Sequence, residues 1–329
     1  MPTDPTKAAI ANDWAHGRPL VSCRIDPSGR FAFAGSEDFT VRRFNLADGV
    51  NIGLAGHDSW TKAIAFSKDG AQVVTCGYDG RMIWWPIEGD APQPVRTVEG
   101  HRGWIRSAVV RPDGSLLATA GNDLVVRLWN VADGSLVKEL PGHEKPVWSL
   151  EWHPEGKFLM SGDLGGVLKQ WDIDAAQVAR TFDAKPLHTY EGGQQVDFGG
   201  VRALSFSPDG KYLAAGGLHK GTNPLGAVHE PLIMLFDWDA GTLVRSHVTE
   251  GIPGGGVWSL RHLADGTLVA ASGGSSGGLL LFFKPDADKE FHRFGLPNIL
   301  RDMDLHPDGA RIATAHHDGH LRVTSVAAG

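Results

Sequence analysis

The chain has 329 residues, of which 42% are hydrophobic and 21% are charged, as in an ordinary globular protein. The formal net charge of −7 argues against a surface for non-specific nucleic-acid binding. The sequence contains no run of 18 apolar residues that could span a bilayer. Cys23 and Cys76 are too few for a disulfide framework, so we expect buried thiols in a cytoplasmic protein.

A tight-turn motif recurs along the chain. It reads PSG, KDG, PDG, PEG, PDG, ADG and PDG, and it ends at Gly29, Gly70, Gly114, Gly156, Gly210, Gly266 and Gly309. In such turns proline sets φ, aspartate bonds its own backbone and glycine adopts a positive φ. The spacings of 41, 44, 42, 54, 56 and 43 residues predict seven repeats of a short, β-rich unit.

Two further positions repeat with the turn. An aromatic residue follows the turn glycine, after fifteen residues in the first four repeats and later in the next two: Phe44, Trp85, Trp129, Trp171, Phe236 and Phe283. In the seventh repeat the same count reaches Thr324. A histidine precedes the first four glycines by thirteen residues: His16, His57, His101 and His143.

A repeat with Gly-His near its start and Trp-Asp or Trp-Asn near its end resembles the WD-repeat family. The segments GHDSWTKAIAFSKDGAQVVTCGYDGRMIWWPI and GHRGWIRSAVVRPDGSLLATAGNDLVVRLWNV carry the resemblance most fully, and it extends over residues 15–326. It implies an all-β fold, a seven-bladed β-propeller of four-stranded antiparallel blades. We expect a single domain over residues 1–329.

The last repeat offers three strands before the chain ends. Residues 1–14 precede His16 in the place where other repeats carry their outer strand. We therefore predict that a strand near Thr6–Asn12 completes the last blade and covers its edge. The alternative is an N-terminal tail without regular structure.

The second and third repeats each contain a hydroxyl, a histidine, an aspartate and a tryptophan at matching offsets. The two sets are His57, Thr75, Asp79 and Trp85, and His101, Thr119, Asp123 and Trp129. A Thr-His-Asp triad could suggest a hydrolase, but a single active site would not occur twice. We interpret both sets as structural chains in which tryptophan donates to threonine, and histidine joins threonine to aspartate. In the fourth repeat Gly165 stands where the aspartate would be.

Aromatic and basic residues recur in the loops that the resemblance assigns to one propeller face. In relatives these positions commonly contact partners, and such residue types form binding hot spots. The candidate partner-binding residues are Trp60, Lys62, Tyr78, Trp104, Arg106, Trp148, Arg202, Trp258, Arg301 and His317. The alternative is that some of these tryptophans only pack between blades. The basic residues favour an acidic partner.

Two segments lengthen the regular repeat, at residues 185–200 and 217–231. Long loops on a rigid scaffold often carry specificity, although either insertion could be neutral. The leading hypothesis is a non-enzymatic scaffold that binds a protein or peptide, with no cofactor, metal, nucleic acid or membrane. His316, His317 and His320 do not suggest a metal site, because a carboxylate or cysteine partner would be needed and two of the histidines should point apart on a tight turn. The alternative is a small-molecule or glycan sensor, or a cryptic enzyme, with the two insertions as a lid.

Overall fold

The computed structural model describes residues 3–221, 229–252, 254–274 and 277–328. Within these ranges the regular structure consists of thirty β-strands and two single-turn 3-10 helices, Pro5–Lys7 and Lys185–Leu187. Neither helix is long and apolar enough to cross a membrane.

The first thirteen strands form one N-terminal strand and three blades. Strand β1 is Ala9–Ala15. Blades 1, 2 and 3 take four strands each, in the order Leu20–Ile25 (β2), Phe31–Ser36 (β3), Val41–Asn45 (β4), Asn51–Leu54 (β5), Thr61–Phe66 (β6), Gln72–Gly77 (β7), Arg81–Pro86 (β8), Arg96–Glu99 (β9), Ile105–Val110 (β10), Leu116–Gly121 (β11), Val126–Asn130 (β12) and Leu136–Leu140 (β13).

The remaining strands form blades 4 to 7 and a hairpin. Blade 4 holds Val147–Trp152 (β14), Phe158–Asp163 (β15), Val167–Asp172 (β16) and Gln177–Asp183 (β17). The hairpin is His188–Glu191 (β18) with Val196–Gly199 (β19). Blades 5 and 6 and the last three strands are Ala203–Phe206 (β20), Tyr212–His219 (β21), Glu230–Asp237 (β22), Leu243–Val248 (β23), Gly256–His262 (β24), Leu268–Gly274 (β25), Gly277–Phe283 (β26), His292–Leu296 (β27), Leu300–Leu305 (β28), Arg311–His316 (β29) and His320–Ser325 (β30).

Strand order makes the fold an all-β seven-bladed propeller, as predicted. Six blades use four strands that are consecutive along the chain, and blade 7 has the order β1-β30-β29-β28. Residue packing divides the chain into two compact units, which we describe separately. The first unit is Met1–Glu139 with Arg301–Gly329, and the second is Leu140–Leu300.

The core of each unit consists of apolar clusters between neighbouring blades. In the first unit, Phe33 of blade 1 and Trp85 of blade 2 belong to one cluster, and Trp84 and Trp129 belong to the next. In the second unit, Phe182 of blade 4 packs with Trp238, which follows β22 in blade 5. A middle strand such as β11 is buried on both faces, which explains its nearly continuous apolar sequence.

The N-terminal strand completes blade 7 inside the first unit. Strand β1 pairs antiparallel with β30, from Ala9 opposite Ser325 to Ala15 opposite His320. This pairing confirms the predicted closure, although the strand begins at Ala9 rather than at Thr6. The reason is local, because Pro5–Lys7 form a 3-10 turn whose Thr6 N–H donates to the Asp4 side chain at 3.1 Å.

The two insertions meet within the second unit. Residues 185–200 form the turn Lys185–Leu187 and the hairpin β18–β19, and Leu187 is fully buried in the blade 4–5 cluster. The second insertion lengthens β21 and β22 at the end where His219 pairs with Glu230. Residues 222–228, at the centre of that insertion, lie outside the described residues.

Removal of residues 1–15 tests the closing role of β1. We expect the melting temperature to fall by at least about 5 °C, because the truncation removes a whole strand from blade 7. The exposed edge of β30 should also promote self-association, which size-exclusion chromatography detects. A synthetic peptide of residues 3–15, added in trans, should restore the melting temperature. Equal melting temperatures for the truncated and full chains would contradict the closing role.

Candidate functional site

The histidines of blades 2 and 3 lie in buried hydrogen-bonded chains. In blade 3, Trp129 Nε1 donates to Thr119 Oγ1 at 2.7 Å, and His101 Nε2 lies 2.7 Å from the same oxygen. His101 Nδ1 lies 2.9 Å from Asp123 Oδ1. Because the indole N–H can only donate, the Thr119 oxygen accepts from Trp129 and its O–H donates to His101 Nε2. The Nδ1–H of His101 then donates to Asp123.

Blade 2 repeats the chain with the same geometry. Trp85 Nε1 donates to Thr75 Oγ1 at 2.9 Å, His57 Nε2 lies 2.9 Å from that oxygen, and His57 Nδ1 lies 3.0 Å from Asp79 Oδ2. The threonine in each chain is fully buried. Each of these hydroxyls accepts a hydrogen bond from tryptophan, donates one to histidine and is inaccessible to a substrate. The chains therefore stabilise the blades and supply no nucleophile.

Blade 4 contains a third chain of this kind, which the sequence reasoning missed. Trp171 Nε1 donates to Ser161 Oγ at 2.7 Å, and His143 Nε2 lies 2.6 Å from that oxygen. The acid is Asp163, whose Oδ2 lies 2.7 Å from His143 Nδ1. Asp163 is two residues before Gly165, so a search at the fixed offset could not find it.

Blades 1 and 7 hold partial versions. In blade 1, His16 Nε2 lies 2.9 Å from Asp38 Oδ2, but Ala34 and Phe44 occupy the hydroxyl and indole positions. In blade 7, His316 Nε2 lies 2.8 Å from Thr314 Oγ1, while Asp318 binds Arg322 at 2.7 Å. The first unit therefore offers a matched pair for mutation, the complete chain at His101 and the partial one at His16.

Substitution of His101 by alanine should lower the free energy of unfolding by about 1–3 kcal/mol, because Thr119 and Asp123 lose a buried partner. The same substitution at His16 should lower the free energy of unfolding by less than about 1 kcal/mol. In the partial chain of blade 1 this histidine has Asp38 as its partner and no hydroxyl. Urea unfolding of both variants measures the difference. Equal losses would show that the chain adds nothing beyond the hydrogen bond between histidine and aspartate.

The pH dependence of stability should also depend on His101. Burial lowers the pKa of His101, so the folded chain resists a proton that the unfolded chain accepts near pH ~6.5. The stability that neutral His101 contributes is therefore complete above about pH 7 and declines as the pH falls toward 5. The His101→Gln variant should lose less stability than the wild type between pH 7.5 and 5.5. Parallel curves of the free energy of unfolding against pH for the two proteins would show that His101 does not cause the pH dependence.

Three of the predicted partner-binding aromatics come together in the first unit. The Tyr78 and Trp104 rings stack at 4.4 Å with an interplanar angle of 4°, and the Trp60 ring lies 6.3 Å from Tyr78. The guanidinium of Arg106 lies 4.9 Å from the centre of the Trp104 ring and 5.5 Å from that of Tyr78. We call these four residues the blade 2–3 surface.

Backbone geometry positions the blade 2–3 surface. The loop carbonyl of Trp60 accepts from Tyr78 N at 2.9 Å, and that of Trp104 accepts from Asn122 N at 3.0 Å. Gly121 permits the second approach, because a Cβ there would overlap the Trp104 carbonyl oxygen. Arg106 Nε donates to Asn122 Oδ1 at 2.7 Å, and burial lowers the pKa of Arg106. Trp104 nevertheless remains 43% exposed.

The other candidates of the first unit have different surroundings. Lys62 Nζ donates to the Val21 carbonyl at 2.8 Å and lies in a half-buried position, where burial lowers its pKa. Arg301 lies 3.0 Å from His317 Nδ1 and 3.9 Å from Glu37. The structure thus places Lys62 against a neighbouring strand and joins Arg301 to His317.

The candidates of the second unit form a compact sandwich. The Arg202 guanidinium lies 4.2 Å from the Trp148 ring centre and 4.8 Å from that of Trp258. Trp258 Nε1 donates to the Gly273 carbonyl at 3.0 Å, which fixes its indole. All three side chains are half-buried, so this cluster combines packing with partial exposure.

Acidic and imidazole groups do not assemble into a metal site in the part of the chain that the structure describes, where no group of three or more His, Cys, Asp or Glu could hold an ion. Polar contacts hold the hairpin β18–β19 in place. Asp197 lies 2.7 Å from His188 Nε2 and accepts from Lys145 Nζ at 2.8 Å. These contacts fix the hairpin to the loop before β14.

Comparison with known families identifies the repeats. A family model described as WD domain, G-beta repeat matches residues 12–45, 50–86, 92–130, 134–172, 184–221 and 292–325. The chain belongs to the WD40 repeat family. The matched WD40 ranges leave out residues 222–291, which include β22 to β26. There the sequence has no Gly-His pair, and Phe236 and Phe283 stand at the position of the repeated tryptophan.

Several WD40 relatives cover part of this chain. It is 23% identical over 208 residues to WD repeat-containing protein SL1-17 of Schistosoma mansoni, which is 62% of this chain and 59% of that protein. It is 26% identical over 212 residues to Transcription initiation factor TFIID subunit 5 of Caenorhabditis elegans, covering 61% and 32%. It is 25% identical over 183 residues to COMPASS component SWD3 of Saccharomyces cerevisiae, covering 53% and 57%. The match spans less than two thirds of each relative.

Proposed function

We propose that this protein is a non-enzymatic scaffold that binds a protein or peptide through the blade 2–3 surface. The observation that carries the proposal is the exposed, ordered stack of Trp104 on Tyr78, held by Arg106 and Asn122. Tryptophan, tyrosine and arginine dominate binding energy at protein interfaces. A surface that is already ordered loses little side-chain entropy when a partner binds.

The chemistry of the surface supports a partner with an acidic group beside an apolar one. The guanidinium of Arg106 lies against two rings and is suited to a carboxylate at its edge. The flat indole of Trp104 is suited to an apolar side chain or a second ring. Two relatives are named as a subunit and a component of larger assemblies, which also supports a scaffold role.

The buried state of the histidine chains supports a non-enzymatic role. Their hydroxyls lie in the core of blades 2, 3 and 4 and already bind tryptophan and histidine. A catalytic hydroxyl needs access to a substrate and a donor site for the developing oxyanion. The chains recur from blade to blade, as expected of a structural device.

The double variant Trp104→Ala with Arg106→Ala tests the proposal. Proteins captured from native lysate by the immobilised wild-type chain should be lost or bound at least ~10-fold more weakly, as expected when hot-spot residues are truncated. The matched control is Leu136→Ala with Val137→Ala, because both side chains are 50% exposed on β13 of the same blade. The control should capture the same partners as the wild type.

The melting temperature of each variant should be measured alongside the capture experiment, so that loss of binding can be distinguished from unfolding. An acidic peptide, poly-glutamate, should compete with the captured partners if the Arg106 edge receives a carboxylate. Capture that is identical for the double variant, the control and the wild type would refute the assignment of the blade 2–3 surface.

A further inference from the structure

A cavity of about 290 Å³ lies at one end of the junction between blades 5 and 6, inside the second unit. Four rings line it, those of Tyr212, His247, His262 and Phe283. It lies at the Tyr212 end of β21, whereas the two insertions adjoin the His219 end. An eight-residue strand is roughly 25 Å long, so the His219 end of β21 lies far from this cavity.

The cavity occurs where the position two residues after the repeated aromatic residue holds a proline and not a buried apolar side chain. Phe283 pairs with Leu268 in blade 6 as Phe236 pairs with Leu213 in blade 5, so Pro285 corresponds to Trp238. The corresponding residues of the other blades are buried and apolar: Leu46, Ile87, Val131, Ile173 and Val326. Trp238 is also buried, but Pro285 is exposed.

Proline also removes a hydrogen bond that closes the end of other blades. The N–H of Trp238 donates to the Lys211 carbonyl at 2.8 Å, and that of Ile87 donates to the Ala71 carbonyl at 3.0 Å. Pro285 has no N–H to donate. The chain therefore leaves blade 6 without a side chain that fills the junction.

The junction between blades 4 and 5 shows what fills such a space. There the Trp238 ring stacks on His153 at 5.0 Å and on Phe182 at 6.0 Å, with Phe206 edge-on at 5.0 Å. By strand register, Ser207, His247 and His262 take the places of His153, Phe182 and Phe206 at the next junction. The walls that enclose an indole in one junction thus enclose a cavity in the next.

Two of the rings that line the cavity are polar, because His247 and His262 stand where the preceding junction has phenylalanines. His247 donates from Nδ1 to the Asp288 carbonyl at 3.0 Å, so Nε2 of the neutral ring is an acceptor. Burial lowers the pKa of His247, and it lowers that of His262 to about 4, so both rings are neutral at pH 7. The exposed carboxylates of Asp209 and Asp265 lie on the rim, together with Lys284.

We propose that this cavity binds a planar heteroaromatic small molecule of one or two fused rings, with a ring N–H and a cationic substituent. Its ring takes the position that the Trp238 indole occupies at the preceding junction. The ring N–H donates to His247, and the cation meets Asp265, because Asp209 already pairs with Lys211 Nζ at 3.3 Å. Protein cavities of roughly 150 Å³ accept benzene, so this larger one has room for two fused rings.

Calorimetric titration of the full chain with indole, tryptamine and indole-3-acetate tests the proposal. We expect saturable binding of indole, and tryptamine should bind severalfold more tightly than indole-3-acetate because the Asp265 carboxylate attracts the ammonium group and repels the acetate. Pro285→Trp should weaken all three at least 10-fold and raise the melting temperature, because its indole and N–H restore the arrangement of Trp238. Val50→Trp, at an exposed site in blade 1, is the matched control and should bind as the wild type does.

A second variant keeps the proposal testable if Pro285→Trp does not fold. His247→Phe restores the residue type of Phe182 and removes the acceptor, so indole should bind severalfold more weakly while naphthalene, which lacks N–H, should bind as before. The proposal fails if the wild type shows no saturable binding of indole. It also fails if folded Pro285→Trp binds indole like the wild type.

Discussion

Within each unit, the structure depends on the burial of apolar blade faces against neighbouring blades. A four-stranded sheet with two apolar faces cannot shield either face by itself, so each junction must be filled by side chains from two sheets. In the first unit, Trp84, Trp85 and Trp129 fill two junctions and are almost fully buried. Strand β1 has a different role: by pairing with β30 it gives blade 7 the fourth strand that the other blades have.

Burial on both faces leaves the loops at the strand ends as the place for function. The blade 2–3 surface shows how such loops become ordered: Trp60 and Trp104 are held through their backbone carbonyls, and their rings project beside Tyr78. The tryptophans that stabilise the junctions and those of the surface therefore have opposite roles. Trp85 is buried, whereas Trp104 is exposed.

Departures from the repeat have physical consequences that differ from blade to blade. In blade 4 the loss of the expected aspartate at Gly165 is compensated by Asp163, and the hydrogen-bonded chain survives. In blade 6 the replacement at Pro285 is not compensated, and a cavity results. The difference arises because a hydrogen bond can be supplied from a nearby residue, whereas a missing buried side chain leaves a volume that its neighbours do not fill.

The sequence alone was sufficient to predict the number of blades, the closing strand and the composition of the chains at His57 and His101, because these follow from spacing along the chain. It placed Trp60, Tyr78, Trp104 and Arg106 in loops of neighbouring repeats. The packing of the blades was needed to show that these four side chains lie together, that Lys62 donates to a backbone carbonyl, and that Arg202 lies between two indoles. Spacing fixes which strand end a residue occupies, but the direction of a side chain depends on the neighbouring blade against which it packs.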